Sequence, residues 1–207
     1  MKFPEVAPQL IAMGYKRPVP IKPGTKYPGF PEWQNYFFDA FRADSWSNYG
    51  TGIICGDVGG VDIDCYDSSV TESLRNLAQR ILGPTMIRSG LAPKELLIYR
   101  TANPLDKMST SKYQLPGTPK VSQVEVLGHG QQFVAFAIHP DTHKPYTWLA
   151  DESPLNTPFE KLPEIDGVKL SMFLKMADEM LAAAAGIAPI KQQPPPKTGG
   201  TTDKWPL

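Results

Sequence analysis

The sequence predicts an α+β fold in which helices flank a mainly antiparallel sheet. Apolar residues recur at helical spacing in three segments, strand patterns come in pairs around turn residues, and the order is helix, strands, helix, strands, helix. The 207 residues are 41% hydrophobic and 20% charged, which is enough to bury a core. We therefore expect one domain over residues 1–185 and a Pro/Gly-rich linker or tail over residues 186–207.

The N-terminal part is predicted to be a short helix followed by an irregular stretch. Val6, Leu10 and Ile11 are apolar positions of a helix over residues 5–14. Prolines then dominate residues 15–34, and because each proline fixes φ and removes an N–H donor, we expect this segment to be extended and irregular.

The remaining elements are three strand pairs, one short strand and two helices. The strand pairs are expected at residues 51–56 with 60–65, 85–88 with 95–100, and 121–127 with 131–138. The short strand and the helices are expected at residues 145–149, 68–82 and 168–185. Ser68 or Ser69 is expected to cap the first of these helices, and Gly83 to end it.

Charge and cysteine usage exclude several classes of protein. The 21 basic and 21 acidic residues give zero net charge, which excludes a uniformly basic nucleic-acid coat but permits a local basic groove. Cys55 and Cys65 lie in apolar strands, so we expect buried free thiols in a reducing cytosol and no zinc site of cysteine pairs. A signal peptide and an apolar run of about 18 residues are both missing, so we expect a cytoplasmic protein without a membrane span.

Two aspartates one residue apart, Asp62 and Asp64, are the most informative residues. Side chains alternate along a strand, so these two share one face while Val61 and Ile63 point to the other. Carboxylates this close repel each other, and Mg²⁺, which is usually held by one or two carboxylates plus substrate phosphates, would remove the conflict. A solvated edge strand with acidic residues facing outward would show the same pattern.

A loop with basic flanks is the second candidate site. Ser89 and Gly90 lie in a tight loop flanked by Arg88, Lys94 and Arg100. A hydroxyl, a glycine and cations suit a polyphosphate, because lysine supplies a point charge and arginine a bidentate fork. An ordinary hairpin with charged edges is the alternative.

Two further polar residues lie at predicted strands. Glu125 has valines on both sides, so it shares a face with Gln123 and Leu127, and it could complete a metal site or simply face solvent. His139 and Asp141 follow a strand directly, where sites often lie, although the run around them is also a good turn. This histidine and aspartate, without a nearby Ser or Cys nucleophile, do not support a hydrolase triad.

In this order the residues resemble the bifunctional DNA primase/polymerase N-terminal (prim-pol) domain of the archaeo-eukaryotic primase superfamily, common in phages, plasmids and integrated elements. The resemblance spans about residues 5–150 and rests on the ordered set of motifs. The motifs are Pro20-Ile21-Lys22-Pro23-Gly24, Gly59-Gly60-Val61-Asp62-Ile63-Asp64, Arg88-Ser89-Gly90 through Tyr99-Arg100, Val124-Glu125-Val126, His139-Pro140-Asp141-Thr142 and Tyr146-Thr147-Trp148.

The resemblance implies a primase-like (RRM-like) catalytic core that acts as a template-directed nucleotidyl transferase on single-stranded DNA. Asp62, Asp64 and Glu125 would hold two Mg²⁺ or Mn²⁺ ions. Nucleoside triphosphates would be bound by the basic loop, that is by Lys94, Arg88, Ser89, Gly90 and Arg100. A helicase often follows such a domain, which fits the tail as a linker.

One position departs from the family. Its second motif usually carries a histidine that contacts the triphosphate, but no histidine occurs between residues 66 and 128, and Lys94 occupies roughly that place. Lys22 and Lys26 are expected to contact the template backbone or phosphate, with Trp33 as a stacking surface, although these residues would equally suit a structural role.

Two other functions stay open at this point. A metal-dependent nuclease also needs clustered carboxylates, but it would degrade DNA and would not need a triphosphate-binding loop. A non-catalytic nucleic-acid or nucleotide-binding module would keep its binding without Asp62 and Asp64 and would form no product.

Overall fold

The structure is a computed structural model that describes residues 2–187, and it confirms the predicted α+β class. Its α-helices are α1 (Phe3–Ala12), α2 (Ser68–Leu82) and α3 (Gly167–Ala184). Its strands are β1 (Pro18–Ile21), β2 (Gly50–Ile54), β3 (Val58–Asp64), β4 (Ile87–Ser89), β5 (Glu95–Thr101), β6 (Met108–Ser109), β7 (Gln123–Leu127), β8 (Gln132–Phe136), β9 (Thr147–Trp148) and β10 (Glu164–Ile165). None of the helices in this part of the chain is long and apolar enough to cross a bilayer.

The strands form two sheets. The larger has the order β6-β7-β3-β5-β4-β9, with β10 added beside β5, and the smaller has the order β1-β2-β8. All pairs are antiparallel except β10 with β5. Strand β3 lies inside the larger sheet between β7 and β5, so its side chains have neighbours on both sides.

The predicted alternation of β3 is confirmed. Val61 and Ile63 have no exposed surface and pack with apolar residues of α2 and α3, including Leu74 and Phe173. The opposite face of the larger sheet meets the smaller sheet and α1, where Leu96 of β5 belongs to a second buried cluster. The larger sheet is therefore covered on both faces, and Asp62 lies on the face turned toward the smaller sheet.

The predicted pairing of residues 51–56 with 60–65 is wrong, because β2 and β3 belong to different sheets. After Gly56, the chain bonds to β5 and not back to β2: Thr101 N donates to the carbonyl of Asp57 at 2.9 Å. Thr101 Oγ1 also donates to the carbonyl of Gly56 at 2.7 Å. The glycine turn therefore carries the chain from one sheet to the other.

The predicted hairpin of residues 121–127 with 131–138 is wrong for a similar reason. His129 N donates to the carbonyl of Leu105 at 2.7 Å, and Cys55 N donates to the carbonyl of Gln131 at 2.8 Å, so the chain has already joined the smaller sheet. Any Cβ at Gly128 would overlap the backbone of Leu105. By contrast, the pairing of β4 with β5 agrees with the prediction.

The proline-rich segment contains a strand that was not predicted. Residues 18–21 form β1, all four side chains are buried, and Pro18 and Pro20 pair with Ile53 and Thr51 of β2. The strand lies at the edge of its sheet. A proline is tolerated there, because the side of an edge strand that faces solvent needs no N–H donor for a neighbouring strand. An edge position thus resolves the conflict between the proline content and strand formation.

Helix α2 has the predicted bounds but a different cap. Asp67 Oδ1 accepts hydrogen bonds from Ser69 N at 2.9 Å and Val70 N at 3.0 Å, so Asp67 is the N-cap and neither serine is. Gly83 ends the helix with φ of 101°, as expected. The predicted linker over residues 186–207 lies, from residue 188 on, outside the described residues.

Candidate active site

Three carboxylates lie together on the face of the larger sheet that is turned toward the smaller one. Asp62 on β3 is directly opposite Glu125 on β7, and Asp64 is opposite Gln123. Directly opposite residues of an antiparallel pair have Cβ atoms about 5 Å apart, and like charges at that distance destabilise the sheet. Placing Asp62 opposite Glu125 therefore destabilises the sheet, and a purely structural role would not explain why two acids lie there.

The three carboxylates differ in their partners. Lys94 Nζ is 2.5 Å from Asp64 Oδ1, and Lys107 Nζ is 3.4 Å from Glu125 Oε1. Within residues 2–187, no basic nitrogen lies within 4.0 Å of Asp62. Burial raises the pKa of Asp62 to about 6, against the positive charge of Arg88 and with the help of Asp64 and Glu125.

The donor set fits a metal ion that is shared with a substrate. In the described part of the chain, no group of three or more His, Cys, Asp or Glu side chains is arranged to hold a metal ion by itself. Asp62 and Asp64 share one strand face, and two carboxylates completed by substrate phosphates are a common way to hold Mg²⁺. Burial raises the pKa of Asp62 despite the opposing charge of Arg88, so a bound cation that adds positive charge would favour its ionised form.

A cavity of about 260 Å³ opens in front of Asp62 and Asp64. Its walls come from β3 and the β4–β5 loop of the larger sheet, from β8 of the smaller sheet, and from the loop after β1. We call it the inter-sheet cavity. Its charged and polar walls include Lys26, Arg88, Lys94, Gln132, His139 and Tyr146. Three acids, Asp62, Asp64 and Glu95, and three cations thus face one small volume, and Glu95 is already paired with Arg75. Such a cavity is suited to a polyanion with bound cations.

Arg88 is fixed between the two sheets. It lies on β4, donates from Nη1 to the carbonyl of Val134 on β8, and its guanidinium carbon is 4.5 Å from the ring centroid of Tyr146. Its Nε is buried and has no hydrogen-bond partner among residues 2–187. A guanidinium held in this way is an ordered cation at the cavity wall, because its rotamer is already chosen before any ligand binds.

The loop between β4 and β5 is tightly packed. Ser89 Oγ donates to the carbonyl of Lys94 at 3.0 Å, so this hydroxyl closes the loop and does not line the cavity. Gly90 does line the cavity, and a Cβ there would overlap the ring of Tyr146 and lie 2.8 Å from Cδ2 of His139. Only glycine allows these two rings to approach the loop so closely.

Lys94 is held by an acid and a phenol. Its Nζ donates to the hydroxyl of Tyr66 at 2.6 Å, lies 3.9 Å from the centroid of that ring, and pairs with Asp64. Burial opposes the charge of Lys94, but its hydrogen bonds to Asp64 and Tyr66 outweigh burial and raise its pKa. Lys94 is therefore a fully charged cation beside the aspartate pair.

Not every predicted residue reaches the cavity. Lys26 and His139 line it, whereas Lys22 does not and packs its aliphatic chain against Gly29. Arg100 lies four residues beyond Leu96, the partner of Asp62 on β5, and its Nη2 is 3.2 Å from Glu164 Oε2. Trp33 is partly buried against the cluster of Val19, Ile21 and Ile54.

Besides Glu95, which lines the cavity and pairs with Arg75, four polar or aromatic residues of the site were not predicted as site residues. Tyr27 is 71% exposed at the cavity, Tyr66 holds Lys94, Tyr146 stacks on Arg88, and Gln132 donates from Nε2 to the carbonyl of Lys26 at 2.7 Å. They come from four separate segments. The single sequence signal was the clustering of aromatics among lysines in the proline-rich segment, which includes Tyr27.

Paired carboxylates beside a basic cavity are a kind of site that can bind phosphates together with metal ions. Residues 7–165 match the family described as bifunctional DNA primase/polymerase, N-terminal, and the chain belongs to that family. The match confirms the resemblance found in the sequence. Members are primase/polymerase-type nucleotidyl transferases that generally depend on divalent metals, and such a domain binds DNA and nucleotides. No curated protein is significantly similar to the chain.

Proposed function

We propose that this chain is a template-directed nucleotidyl transferase that extends a primer, or starts one, on single-stranded DNA with two Mg²⁺ or Mn²⁺ ions. One observation carries the proposal. Asp62 and Asp64 share a strand face, Glu125 is directly opposite Asp62, and the cavity in front of the aspartates is lined by Arg88 and Lys94. A nucleoside triphosphate needs both halves of this arrangement, cations for its phosphates and carboxylates for its metal ions.

The carboxylates would hold the metal ions, with the substrate's phosphates completing the ligand set. Bound there, the ions would lower the pKa of the primer 3′-hydroxyl and stabilise the leaving pyrophosphate. The chain's own part is to place Asp62 and Asp64 on an inner strand of the sheet, where neighbours on both sides fix their direction. Glu125 does not line the cavity and pairs with Lys107, but it lies directly opposite Asp62 and would add a third oxygen donor from β7.

The cations would bind the triphosphate in two different ways. Arg88 is rigid, because its contacts to Val134 and Tyr146 hold it across the sheets, so it would orient one phosphate. Lys94 has a flexible stem and now pairs with Asp64, so its ammonium would move to a phosphate oxygen once Asp64 serves as a metal ligand. Ser89 and Gly90 would act by keeping this loop closed and close to Tyr146.

The remaining residues that the sequence pointed to differ in whether they reach the cavity. Lys26, at the cavity, is placed to contact the template backbone or a phosphate, whereas Lys22, Trp33 and Arg100 are engaged elsewhere and are assigned structural roles. A phage or plasmid replicon in the cytoplasm of a bacterial host, and a helicase after the tail, are proposed from the resemblance alone.

Primer extension and de novo priming on single-stranded DNA test the proposal. The assay compares wild type with the double variant Asp62→Asn/Asp64→Asn, in Mg²⁺ or Mn²⁺ and in EDTA. Glu164→Gln is the matched control, because it removes a carboxylate that pairs with Arg100 outside the cavity. We expect metal-dependent product from wild type and the control, and none from the double variant.

Two results would replace the proposal. If the protein degrades DNA, does not extend a primer, and loses the degradation when Asp62 and Asp64 are replaced, it is a metal-dependent nuclease. Folded protein that binds single-stranded DNA, with and without the aspartates, but forms no product would identify a non-catalytic binding module, in which the Lys94–Asp64 pair is permanent.

A further inference from the structure

The imidazole of His139 is buried and held by a turn. His139 lies three residues after the end of β8 and is 2% exposed. The backbone N–H groups of Asp141 and Thr142 point at Nδ1, at 3.2 Å and 3.3 Å. His139 N also donates to the carbonyl of Lys144 at 2.8 Å, and His143 N donates to the carbonyl of His139 at 2.9 Å. The ring is therefore fixed through one of its nitrogens.

These contacts determine which nitrogen carries the proton. Because two backbone donors point at Nδ1, that atom must offer a lone pair, and the proton of the neutral ring lies on Nε2. Burial, followed by the positive charge of Lys26, lowers the pKa of His139, with further lowering by Arg88 and Lys94 against the opposing charge of Asp141. The ring is thus a neutral donor at Nε2.

The donor at Nε2 has no protein partner. Nε2 makes no hydrogen bond to any of residues 2–187, although the turn satisfies Nδ1 twice. Cδ2, the ring atom next to Nε2, lies close to Gly90, because a Cβ built on Gly90 would be 2.8 Å from it, and both residues line the inter-sheet cavity. His139 lines the cavity, so a donor at Nε2 that has no acceptor in the protein is available to a group that enters the cavity.

We propose that His139 Nε2–H donates a hydrogen bond to a phosphate oxygen of the incoming nucleoside triphosphate. This inference rests on the proposed function and extends it to a residue whose role the sequence left open. His139 would be a binding residue for the triphosphate, beside Arg88 and Lys94.

The surroundings of Nε2 favour a phosphate oxygen as its acceptor. The side chains of Lys26, Arg88 and Lys94 bring positive charge to the same cavity, so an anion is the expected occupant. A neutral donor adds a directed bond without adding a further charge that would repel the metal ions. Its position is set in advance by the turn, so little entropy is lost when the bond forms.

Two substitutions separate the cavity side of the ring from the turn side. His139→Asn keeps an acceptor near the position of Nδ1, which the turn needs, and removes the donor at Nε2. His139→Gln keeps an N–H donor near the position of Nε2 and weakens the turn. His143→Asn is the control, because His143 is exposed and has φ of 54°, a conformation that asparagine tolerates.

The measurement is the Kd of dATP and of dAMP by calorimetry with Mg²⁺ and without DNA, together with the melting temperature of each variant. We expect His139→Asn to weaken dATP binding by about 10-fold or more, with less than about a 2-fold change for dAMP and a melting temperature like that of wild type. His139→Gln should bind dATP better than His139→Asn, and the control should match wild type.

The proposal is overturned if His139→Asn binds dATP as wild type does, or loses dATP and dAMP affinity equally. It is also overturned if wild type does not bind dATP. Failure of the proposed function has a different signature: wild type binds dATP through His139 but yields no metal-dependent product in the extension assay.

Discussion

At the scale of single residues, the site holds like charges together and therefore costs stability. Asp62 has no basic partner within 4.0 Å in residues 2–187 and is directly opposite Glu125, whereas Asp64 and Glu125 are each paired with a lysine. Its pKa is raised to about 6 from the usual 3.8. A folded protein that binds this proton more tightly than its unfolded chain is most stable where the proton is bound, at low pH.

Asp62→Asn is expected to stabilise the metal-free protein by about 1–3 kcal/mol above pH 6, since a shift of about two pKa units corresponds to about 3 kcal/mol at most. The gain should shrink as the pH falls from about 6 to below the ordinary value of 3.8, where Asp62 is protonated in both states. Urea unfolding in EDTA at several pH values measures the difference in free energy of unfolding between the variant and wild type. Asp44→Asn, at an exposed aspartate, is the control. A variant that is less stable than wild type at pH 7.5 would contradict the assigned cost.

Lys94→Met tests the cation beside the aspartates. Because Lys94 is the charged group nearest to Asp64 and lines the cavity, its loss should raise the KM for the nucleotide in primer extension by about 10-fold or more. Lys175→Met, on the exposed side of α3, should leave the KM unchanged. If the KM for the nucleotide is unaffected by Lys94→Met, Lys94 is a structural partner of Asp64 and Tyr66 and not a triphosphate ligand.

At the scale of elements, local hydrogen bonds decide where the chain turns and which strand it joins next. The glycine turns at Gly56 and Gly128 look like hairpins in the sequence, but carbonyls and N–H groups of other segments bind the chain there and pass it to the other sheet. Helix α2 begins where the carboxylate of Asp67 binds two backbone N–H groups.

Asp67→Ala is expected to lower the free energy of unfolding by about 1 kcal/mol, the usual cost of losing an N-cap. Ser68→Ala should change it much less, because Ser68 is exposed and donates no cap bond. The bond to the Val70 N–H, with further contributions from Ser69, lowers the pKa of Asp67, so the cap is lost as the pH falls through that lowered value. Equal effects of the two substitutions in urea unfolding at pH 7 would show that Asp67 does not cap α2.

At the scale of the whole molecule, binding depends on where the charges lie and not on their sum. The formal net charge is zero, yet Lys26, Arg88 and Lys94 face one cavity between the sheets. Three-dimensional proximity thus produces the basic groove that the overall composition permits but does not reveal.

Single-stranded DNA binding should therefore weaken with salt, with log K falling against log [salt] by about 0.7 for each phosphate contacted. Lys26→Ala should reduce the steepness of that slope by about 0.7, because one contact is lost, and Lys175→Ala should not change it. Fluorescence anisotropy with a labelled oligonucleotide over several salt concentrations gives the slopes. A slope near zero for wild type would exclude phosphate-directed binding.

The sequence by itself determined the fold class, the bounds of α2, the shared face of Asp62 and Asp64, and the family, because these depend on period, spacing and motif order within short segments. The tertiary structure decided what distant segments do together: it separated β2 from β3, made Pro18 and Pro20 part of an edge strand, and brought His139 and Tyr146 to Gly90. Which segments pair and which side chains pack across the two sheets depends on the whole folded chain. The pattern within one short segment therefore does not reveal these contacts.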